Sequence, residues 1–230
     1  MSQRFFALDV LRGTAIVLMV IFHFCFDLTA FAYADFNTAG DIKWRIFRAV
    51  IVSGFLLAVG MSSYLAYAQQ IIWGKFFRTL GLLLISALGI TAGSLLMYPD
   101  KWVYFGILHF IALALLLSLW FVRVPRLSLA VGVIMIIAYF VWGVDMYPLW
   151  QWSVERLSIP EHSTDLVSFT PWFGVVLIGI YIMHKNMFGV DIKLNRLTGP
   201  LGRLGRHSLI IYLLHQPILY LGFSLVAVVG

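Results

Sequence analysis

The amino-acid sequence predicts an all-α, polytopic integral membrane protein in which residues 1–230 form a single transmembrane domain. Hydrophobic residues make up 62% of the 230 residues and charged residues only 11%, whereas soluble domains are about half apolar and about a quarter charged. The mean hydropathy of +0.95 leaves little room for a separate water-soluble domain. Apolar stretches of about 20 residues, long enough to cross a hydrocarbon core of about 30 Å, recur along the whole chain. The lipid bilayer is therefore the first expected partner.

Seven apolar stretches are expected to be transmembrane helices. They are residues 8–31, 46–68, 77–97, 103–122, 127–144, 167–184 and 207–229. Prolines fall in or beside the proposed connections, where a missing backbone N–H is harmless. These prolines are Pro99, Pro125, Pro160, Pro171 and Pro200. The pattern predicts a bundle of seven helices joined by short loops.

The connections between these stretches alternate in charge along the chain. Ten Lys and Arg residues lie at the N-terminus and in every second loop, namely Arg4, Lys75, Arg78, Arg123, Arg126, Lys185, Lys193, Arg196, Arg203 and Arg206. Five lie in the other loops, together with most of the acidic residues: Lys43, Arg45, Arg48, Lys101 and Arg156. Because basic loops stay in the cytoplasm, the pattern predicts a cytoplasmic N-terminus and an extracytoplasmic C-terminus. The basic residues of the cytoplasmic loops then explain the net charge of +6, and no nucleic acid partner is expected.

The N-terminal region also has features of a secretory signal peptide: basic residues, an apolar run and the sequence Ala32-Tyr33-Ala34, whose two small alanines fit a cleavage site. A transmembrane helix explains the region better, because the apolar part of a signal does not usually contain His and Asp. Cleavage would also spoil the alternation of loop charges. The single cysteine, Cys25, lies within this first stretch and excludes an intrachain disulfide.

Three ionisable side chains, Arg12, His23 and Asp27, interrupt the first apolar stretch. A charge at mid-depth costs about 2.5–3.5 kcal/mol on insertion scales, so such residues face the protein interior or a wet cavity. On an α-helix, Arg12 and His23 point to nearly the same side, and His23 and Asp27 are neighbours at i and i+4. Asp27 is expected to accept a hydrogen bond from one imidazole nitrogen and to leave the other free to take a proton. This is the arrangement of a general base.

Two simpler interpretations stay open for the same side chains. The His23 and Asp27 pair would equally serve as a structural contact that holds helices together. Arg12 has Asp9 three residues earlier, so it could be a paired arginine whose head group reaches the cytoplasmic interface.

Two further histidines are expected near the depth of His23. His109 lies about seven residues into the fourth stretch from the outer side, and His215 lies about eight residues into the seventh from the cytoplasmic side. Three converging intramembrane histidines indicate a reaction centre. A metal site is not expected, because no two of them have the i, i+4 spacing of a helical ligand pair and no second carboxylate joins them. A proton-coupled transporter or flippase with a His/Asp relay is the main alternative, although the sequence contains no inverted repeat.

Four segments carry a resemblance to a known family. They are RFFALDVLRGTAIVLMVIFHFCFDL at 4–28, VYFGILHFIAL at 103–113, FTPWFGVVLIGI at 169–180 and GRHSLIIYLLHQPI at 205–218. In this order they resemble bacterial transmembrane acyltransferases related to the catalytic domain of heparan-α-glucosaminide N-acetyltransferase. The resemblance implies a multi-pass enzyme of the bacterial inner (plasma) membrane. Such an enzyme moves an acyl group, usually acetyl from cytoplasmic acetyl-CoA, to a hydroxyl or amine of an extracytoplasmic sugar or envelope glycan.

The resemblance also implies a role for each candidate catalytic residue. His23, held by Asp27, would deprotonate the acceptor or carry the acyl group, because residues 32–45 lack the histidine that the eukaryotic enzyme uses in this segment. His109 and His215 would polarise the thioester carbonyl or protonate the leaving thiolate. Whether transfer is direct or passes through an acyl-histidine stays open at this point.

Acetyl-CoA, or another acyl-CoA, is the expected cosubstrate, with no metal cofactor. Arg12 would guide the donor near the inner face. The segment LNRLTGPLGRLGRHS at 194–208 suggests a site for the donor phosphates, because glycines let the backbone approach an anion and arginines supply charge. Its candidate binding residues are Gly202, Arg203, Gly205 and Arg206. Ordinary basic-loop chemistry on the cytoplasmic side explains the same residues.

The sugar acceptor is expected on the outer side of the membrane. Trp150 and Trp152 would stack on a sugar ring, Trp172 lies at the same level, and Arg48 would line the outer vestibule. Tryptophan at this level is more often a membrane anchor, and Arg48 could be a snorkelling side chain. A chain this short could need a second copy to complete its cavity, so a homodimer is also considered.

Overall fold

The computed structural model describes residues 5–38, 40–97, 99–157, 159–161, 163, 165–187 and 195–229. Arg4 and Lys193, which entered the charge pattern, lie outside the described residues. Within these ranges all regular secondary structure is helical, in nine helices. They are α1 (Phe6–Ala30), α2 (Ile42–Tyr67), α3 (Trp73–Met97), α4 (Ile107–Phe121), α5 (Pro125–Trp142), α6 (Tyr147–Leu157), α7 (Trp172–His184), α8 (Thr198–Arg206) and α9 (Ser208–Val229). The all-α prediction is confirmed.

Five of the described helices are long and apolar enough to cross a membrane: α1, α2, α3, α5 and α9. The chain is therefore a multi-pass membrane protein by helix length and composition. Two of the predicted spans are shorter than expected, since α4 has 15 residues and α7 has 13, or about 22 and 20 Å of helix. The difference lies at their N-termini, since α4 begins at Ile107 after an extended Gly106 and α7 begins at Trp172 after Pro171. The count of seven spans and the orientation remain predictions.

Two short helices occur in segments that were expected to be loops. Helix α6 follows Asp145, whose carboxylate accepts a hydrogen bond from the Tyr147 backbone N–H at 2.9 Å. Helix α8 follows Asn195, whose side-chain oxygen accepts from the backbone N–H groups of Leu197 and Thr198 at 2.9 and 2.8 Å. Both helices are too short and too polar to stand out in a search for apolar stretches. Side-chain capping of the free N-terminal N–H groups stabilises each of them.

Contacts divide the chain into two compact units, and the first contains the described residues up to Ala58 and those from Asn195 onward. Helix α1 is its centre, with α8 and α9 packed against it. The core of this unit consists of Ile16, Met19, Phe22 and Ile51, surrounded by partly buried aromatic and aliphatic side chains. The single-domain organisation expected from the sequence remains a prediction.

The contact between α1 and α8 is made through glycines. A Cβ atom on Gly13 would overlap the carbonyl oxygen of Leu201, and one on Gly205 would overlap the carbonyl oxygen of Asp9. A Cβ on Gly202 would lie 2.5 Å from the ring of Phe6. The two backbones therefore approach more closely than any larger residue would permit, as in other membrane helix pairs that meet at small residues.

The second unit covers residues 59–187, with its gaps as given above. Helix α3 packs on α4, and α5 packs on α7. Gly132 and Gly174 face each other in the latter contact, where the Ser128 hydroxyl donates to the Leu177 carbonyl at 2.8 Å. The C-terminal part of α2 also meets α7, because Gly60 lies against the Val176 carbonyl.

Candidate active site around two histidines

Two of the predicted catalytic histidines, His23 of α1 and His215 of α9, are in direct contact. Their ring centroids are 4.7 Å apart and the ring planes meet at 77°, an edge-to-face arrangement. Each ring is anchored by Nδ1 to a backbone carbonyl of its own helix, His23 to Met19 at 3.0 Å and His215 to Tyr212 at 2.6 Å. A carbonyl oxygen can only accept a hydrogen bond, so Nδ1 of each ring carries a hydrogen. In the neutral rings the lone pair of both imidazoles is then on Nε2.

Asp27 is almost fully buried, with 1% of its surface exposed, and its partner is Gln216 of α9. The amide Nε2 of Gln216 donates to Oδ1 of Asp27 at 2.8 Å. Three buried atoms of this group have no hydrogen-bond partner among the described residues: Asp27 Oδ2, Gln216 Oε1 and His215 Nε2. Because an unsatisfied buried polar group costs about 1–3 kcal/mol, three of them together indicate a site that a ligand completes.

The predicted hydrogen bond between Asp27 and His23 is not the one that orients the imidazole. The Met19 carbonyl, one helical turn before His23, accepts from Nδ1 instead. The carboxylate is directed to Gln216 on the neighbouring helix. Because the Met19 carbonyl holds the hydrogen on Nδ1, Nε2 of His23 keeps the free lone pair that a base or nucleophile needs.

At the other end of α1, Arg12 is held by Asp9. Arg12 Nη1 lies 3.6 Å from one carboxylate oxygen, and Arg206 Nε of α8 lies 3.6 Å from the other. The interpretation of Arg12 as a paired arginine is confirmed. Because Asp9 is buried, its two arginines compensate its charge and hold α8 on α1.

The predicted phosphate segment is helical, and its parts have different surroundings. Gly202 and Gly205 are buried against α1, so their backbone is covered by protein and does not form an open anion loop. Arg203 is exposed instead. With His207 it lines an open cleft of about 420 Å³ between α8 and α9, whose other walls are Pro200, Leu204 and Ile211.

His109 belongs to the second unit and has both ring nitrogens engaged. Its Nδ1 accepts from the Gly106 backbone N–H at 3.2 Å, and its Nε2 lies 3.3 Å from the hydroxyl oxygen of Thr91. Since Nδ1 accepts, Nε2 carries the hydrogen and donates it to Thr91, whose own hydroxyl donates to the Val103 carbonyl at 2.7 Å. These bonds hold the start of α4 and leave no lone pair for chemistry.

The aromatic residues expected at the acceptor side also lie in the second unit. The Trp150 indole N–H donates to the Tyr104 hydroxyl at 2.7 Å. Burial raises the pKa of the Tyr104 phenol, and the hydrogen bond from Trp150 partly offsets this effect. Trp152 is exposed and Trp172 is half-buried in the first turn of α7. Arg48, in the first unit, is exposed on α2.

Gln216 is the functional candidate that sequence reasoning missed. It directly follows His215, inside one of the segments that carry the family resemblance, yet no role was expected for it. A signal was present, because an amide side chain within an apolar span is costly and needs a partner. Its neighbour Pro217 lacks a backbone N–H, so the Leu213 carbonyl loses its usual helical donor beside the same site.

These features define a class: a multi-pass membrane protein with two contacting imidazoles and a buried carboxylate inside its apolar helices. No cluster of three metal-binding side chains occurs in the part of the chain that the structure describes. Residues 4–217 match the family model for heparan-alpha-glucosaminide N-acetyltransferase, catalytic, and the chain belongs to this family. The family consists of membrane acyltransferases that use acetyl-CoA as donor, so the resemblance found in the sequence is confirmed. Searches of the curated proteins and of the solved structures each gave no match.

Proposed function

We propose that this protein transfers an acyl group, acetyl in the first instance, from cytoplasmic acetyl-CoA to a hydroxyl or amine of an extracytoplasmic sugar or envelope glycan. The observation that carries the proposal is the contact between His23 and His215, each with Nδ1 anchored and Nε2 free. Family membership supports the donor and the reaction class. The loop charges support a cytoplasmic N-terminus, which puts the basic segment around α8 on the side of the CoA pool.

One imidazole of the pair carries the proton through direct acyl transfer. Nε2 of one ring removes the proton of the acceptor hydroxyl or amine as that atom attacks the thioester carbonyl. The same proton is returned to the sulfur when the C–S bond breaks, so the products are the acetylated sugar and CoA thiol. In the covalent variant, Nε2 of His23 attacks the carbonyl, the C–S bond breaks and CoA leaves as a thiolate. The acceptor then attacks the acetyl-imidazole, the bond to Nε2 of His23 breaks, and the acceptor's proton passes through Nε2 of His215 to the thiolate.

The donor is proposed to bind through the basic residues of the α8 region. Arg203 and His207 line an open cleft, where they would contact the phosphates of CoA. Arg206 and Arg12 are already paired with Asp9, so they would act by holding this surface in place and by adding positive potential. Gly202 and Gly205 have a packing role in this proposal.

The acceptor is proposed to approach from the outer side, where the tryptophans expected there would contact the sugar. Trp152 offers an exposed ring for stacking, whereas the indole N–H of Trp150 is engaged by Tyr104. Trp172 and Arg48 are retained as candidates at the outer ends of α7 and α2. His109 is assigned to the support of α4 rather than to the reaction.

The test is an acetyltransfer assay on the purified protein in lipid nanodiscs, with acetyl-CoA as donor and methyl glucoside or methyl glucosaminide as acceptor. Released CoA thiol and acetylated sugar are measured together. His23→Ala and His215→Ala are each expected to lower kcat by about 100-fold or more, because a positioned base contributes about 10²–10⁴. Acid quenching of a single turnover, followed by mass spectrometry, would detect an acetyl group on His23 if the covalent variant operates.

The matched control is His184→Ala. This histidine ends α7 and bonds to the Tyr64 hydroxyl at 2.8 Å, and no step of the proposed reaction uses it. Its variant should keep kcat within about threefold of the unmodified protein. Equal losses in all three histidine variants, or activity without acetyl-CoA, would contradict the proposal. Sugar transport into proteoliposomes that is driven by a proton gradient, with no CoA released, would establish the transporter alternative.

A further inference from the structure

We propose that Gln216 and the free carboxylate oxygen of Asp27 form the subsite that binds hydroxyl groups of the sugar acceptor, next to the reacting histidines. The inference rests on the acyltransferase function proposed above. It assigns a substrate-binding role to a pair of residues that lie inside the first unit. It also makes Gln216 a determinant of acceptor specificity.

The orientation of the Gln216 amide follows from its partner. The Gln216 amide presents its NH₂ group to Asp27, where Nε2 donates to Oδ1. The opposite orientation would bring two oxygen atoms into a repulsive contact. Because the Nε2 to Oδ1 bond of 2.8 Å is made, Oε1 of Gln216 and Oδ2 of Asp27 are left over, and both are buried without partners among the described residues.

The two remaining oxygens are both hydrogen-bond acceptors, and this determines which ligand they can take. They belong to groups joined by one hydrogen bond, so a single small ring can reach both. Neighbouring hydroxyls on a sugar ring supply two such donors on one small molecule. Lipid tails present no donors at all, and the donors of acyl-CoA are single groups spaced along a flexible arm, whereas a sugar presents hydroxyls on neighbouring ring carbons. The subsite therefore fits the polyhydroxylated acceptor.

The subsite is also in the right place for transfer. Gln216 follows His215 directly in α9, and Asp27 lies one helical turn beyond His23 in α1, while the two rings are in contact. A sugar held by Asp27 and Gln216 would have one of its other hydroxyls close to a free Nε2. Binding and deprotonation would thus act on adjacent groups of one ring.

The first experiment changes the substrate and leaves the protein intact. Acetyl transfer is measured with methyl β-D-glucopyranoside and with its four monodeoxy analogues, at saturating acetyl-CoA. At least one analogue is expected to react with a kcat/KM about 10-fold or more below that of the parent sugar, because a buried acceptor is left unpaired. If all analogues that still undergo transfer react within twofold of the parent sugar, the subsite does not exist.

The second experiment changes the amide. Gln216→Met keeps the size of the side chain and removes both polar atoms. Its KM for methyl glucoside is expected to rise about 10-fold or more, with the acetyl-CoA Kd unchanged within twofold, and the discrimination against the deoxy analogue should disappear. Gln70→Met, an exposed residue after α2, is the matched control and should change none of these values. The inference would be overturned if folded Gln216→Met still reacted more slowly with the deoxy analogue than with the parent sugar. It would also be overturned if the substitution weakened only the binding of acetyl-CoA.

The two proposals fail in different ways. A protein that neither binds acetyl-CoA nor releases CoA would refute the acyltransferase function. Calorimetric titration of methyl glucoside into the donor-free protein tests the subsite separately. Binding that is lost in Gln216→Met supports it, and binding that is equal in both proteins contradicts it. Should the variant fail to fold, as judged by its melting curve, the deoxy series on the unmodified protein decides the question.

Discussion

The packing of α8 on α1 leads to a sharp prediction for the substitution Gly205→Ala. The added methyl group would overlap the Asp9 carbonyl oxygen and lie 2.9 Å from the backbone nitrogen of Gly13. Both obstacles are backbone atoms of α1, which cannot rotate away as a flexible side chain can. Helix α8 must therefore move outward, and this also strains the contact between Arg206 and Asp9.

The expected magnitude follows from the size of the overlap. Inserting one methyl group into a packed contact costs about 1–3 kcal/mol, and a rigid backbone neighbour places this case in the middle of the range or above. For a chain of this length, a loss of about 2 kcal/mol lowers the Tm by about 4–8 °C. The loss should persist at high salt, because steric overlap and not charge is its main cause.

The assay is thermal unfolding in detergent, followed by intrinsic fluorescence, with Gly222→Ala as the control. A Cβ atom on Gly222 in α9 would meet nothing within 4 Å. Alanine is better than glycine within a helix by about 0.8–1.0 kcal/mol, so this control should keep the Tm or raise it slightly. Equal Tm values for the two variants would refute the close packing of α1 and α8 and reopen an anion-binding role for Gly205.

Two further predictions test structural roles that the contacts assign. His109→Ala should lower the Tm by several degrees while the folded enzyme keeps a kcat within about threefold, because the imidazole supports α4 through Gly106 and Thr91; a kcat loss as large as that of His23→Ala would restore its catalytic role. Asn195→Ala should destabilise α8 by about 1 kcal/mol, since two backbone N–H groups lose their cap. Faster amide hydrogen exchange confined to α8 would be its signature, and unchanged exchange there would contradict the capping.

The long apolar helices could be predicted from the sequence because a helix that crosses a bilayer needs a minimum length and an apolar composition. Both can be read directly from the order of the residues. Helices α1, α2, α3, α5 and α9 all fall on predicted spans. Helices α6 and α8 could not be predicted this way, since side-chain caps and tertiary contacts stabilise them. Their signals, Asp145 and Asn195 just before the helical turns, are short and are found in many ordinary loops.

In the candidate site, too, residue spacing along one helix could be predicted from the sequence, whereas contacts between helices could not. The i, i+4 relation of His23 and Asp27 was visible in the sequence, but each found its partner elsewhere, on a backbone carbonyl and on Gln216. Helical periodicity gives the direction of a side chain from its own axis and says nothing about the neighbouring helix. The contact of His23 with His215 joins residues 192 positions apart and was expected only from similar depth in the membrane.

Asp9 and Asp27 lie on the same helix and are equally buried, and their different partners separate a structural role from a functional one. Asp9 has two arginines at 3.6 Å, so its charge is compensated and its removal would chiefly loosen α8. Asp27 accepts one hydrogen bond from an amide, and its Oδ2 has no hydrogen-bond partner among the described residues. A ligand that donates a hydrogen bond to the unpaired oxygen would lower the free energy of this buried carboxylate. A rearrangement of the apolar side chains around it would supply no donor. The unsatisfied acid, rather than the paired one, is therefore where the sugar should bind.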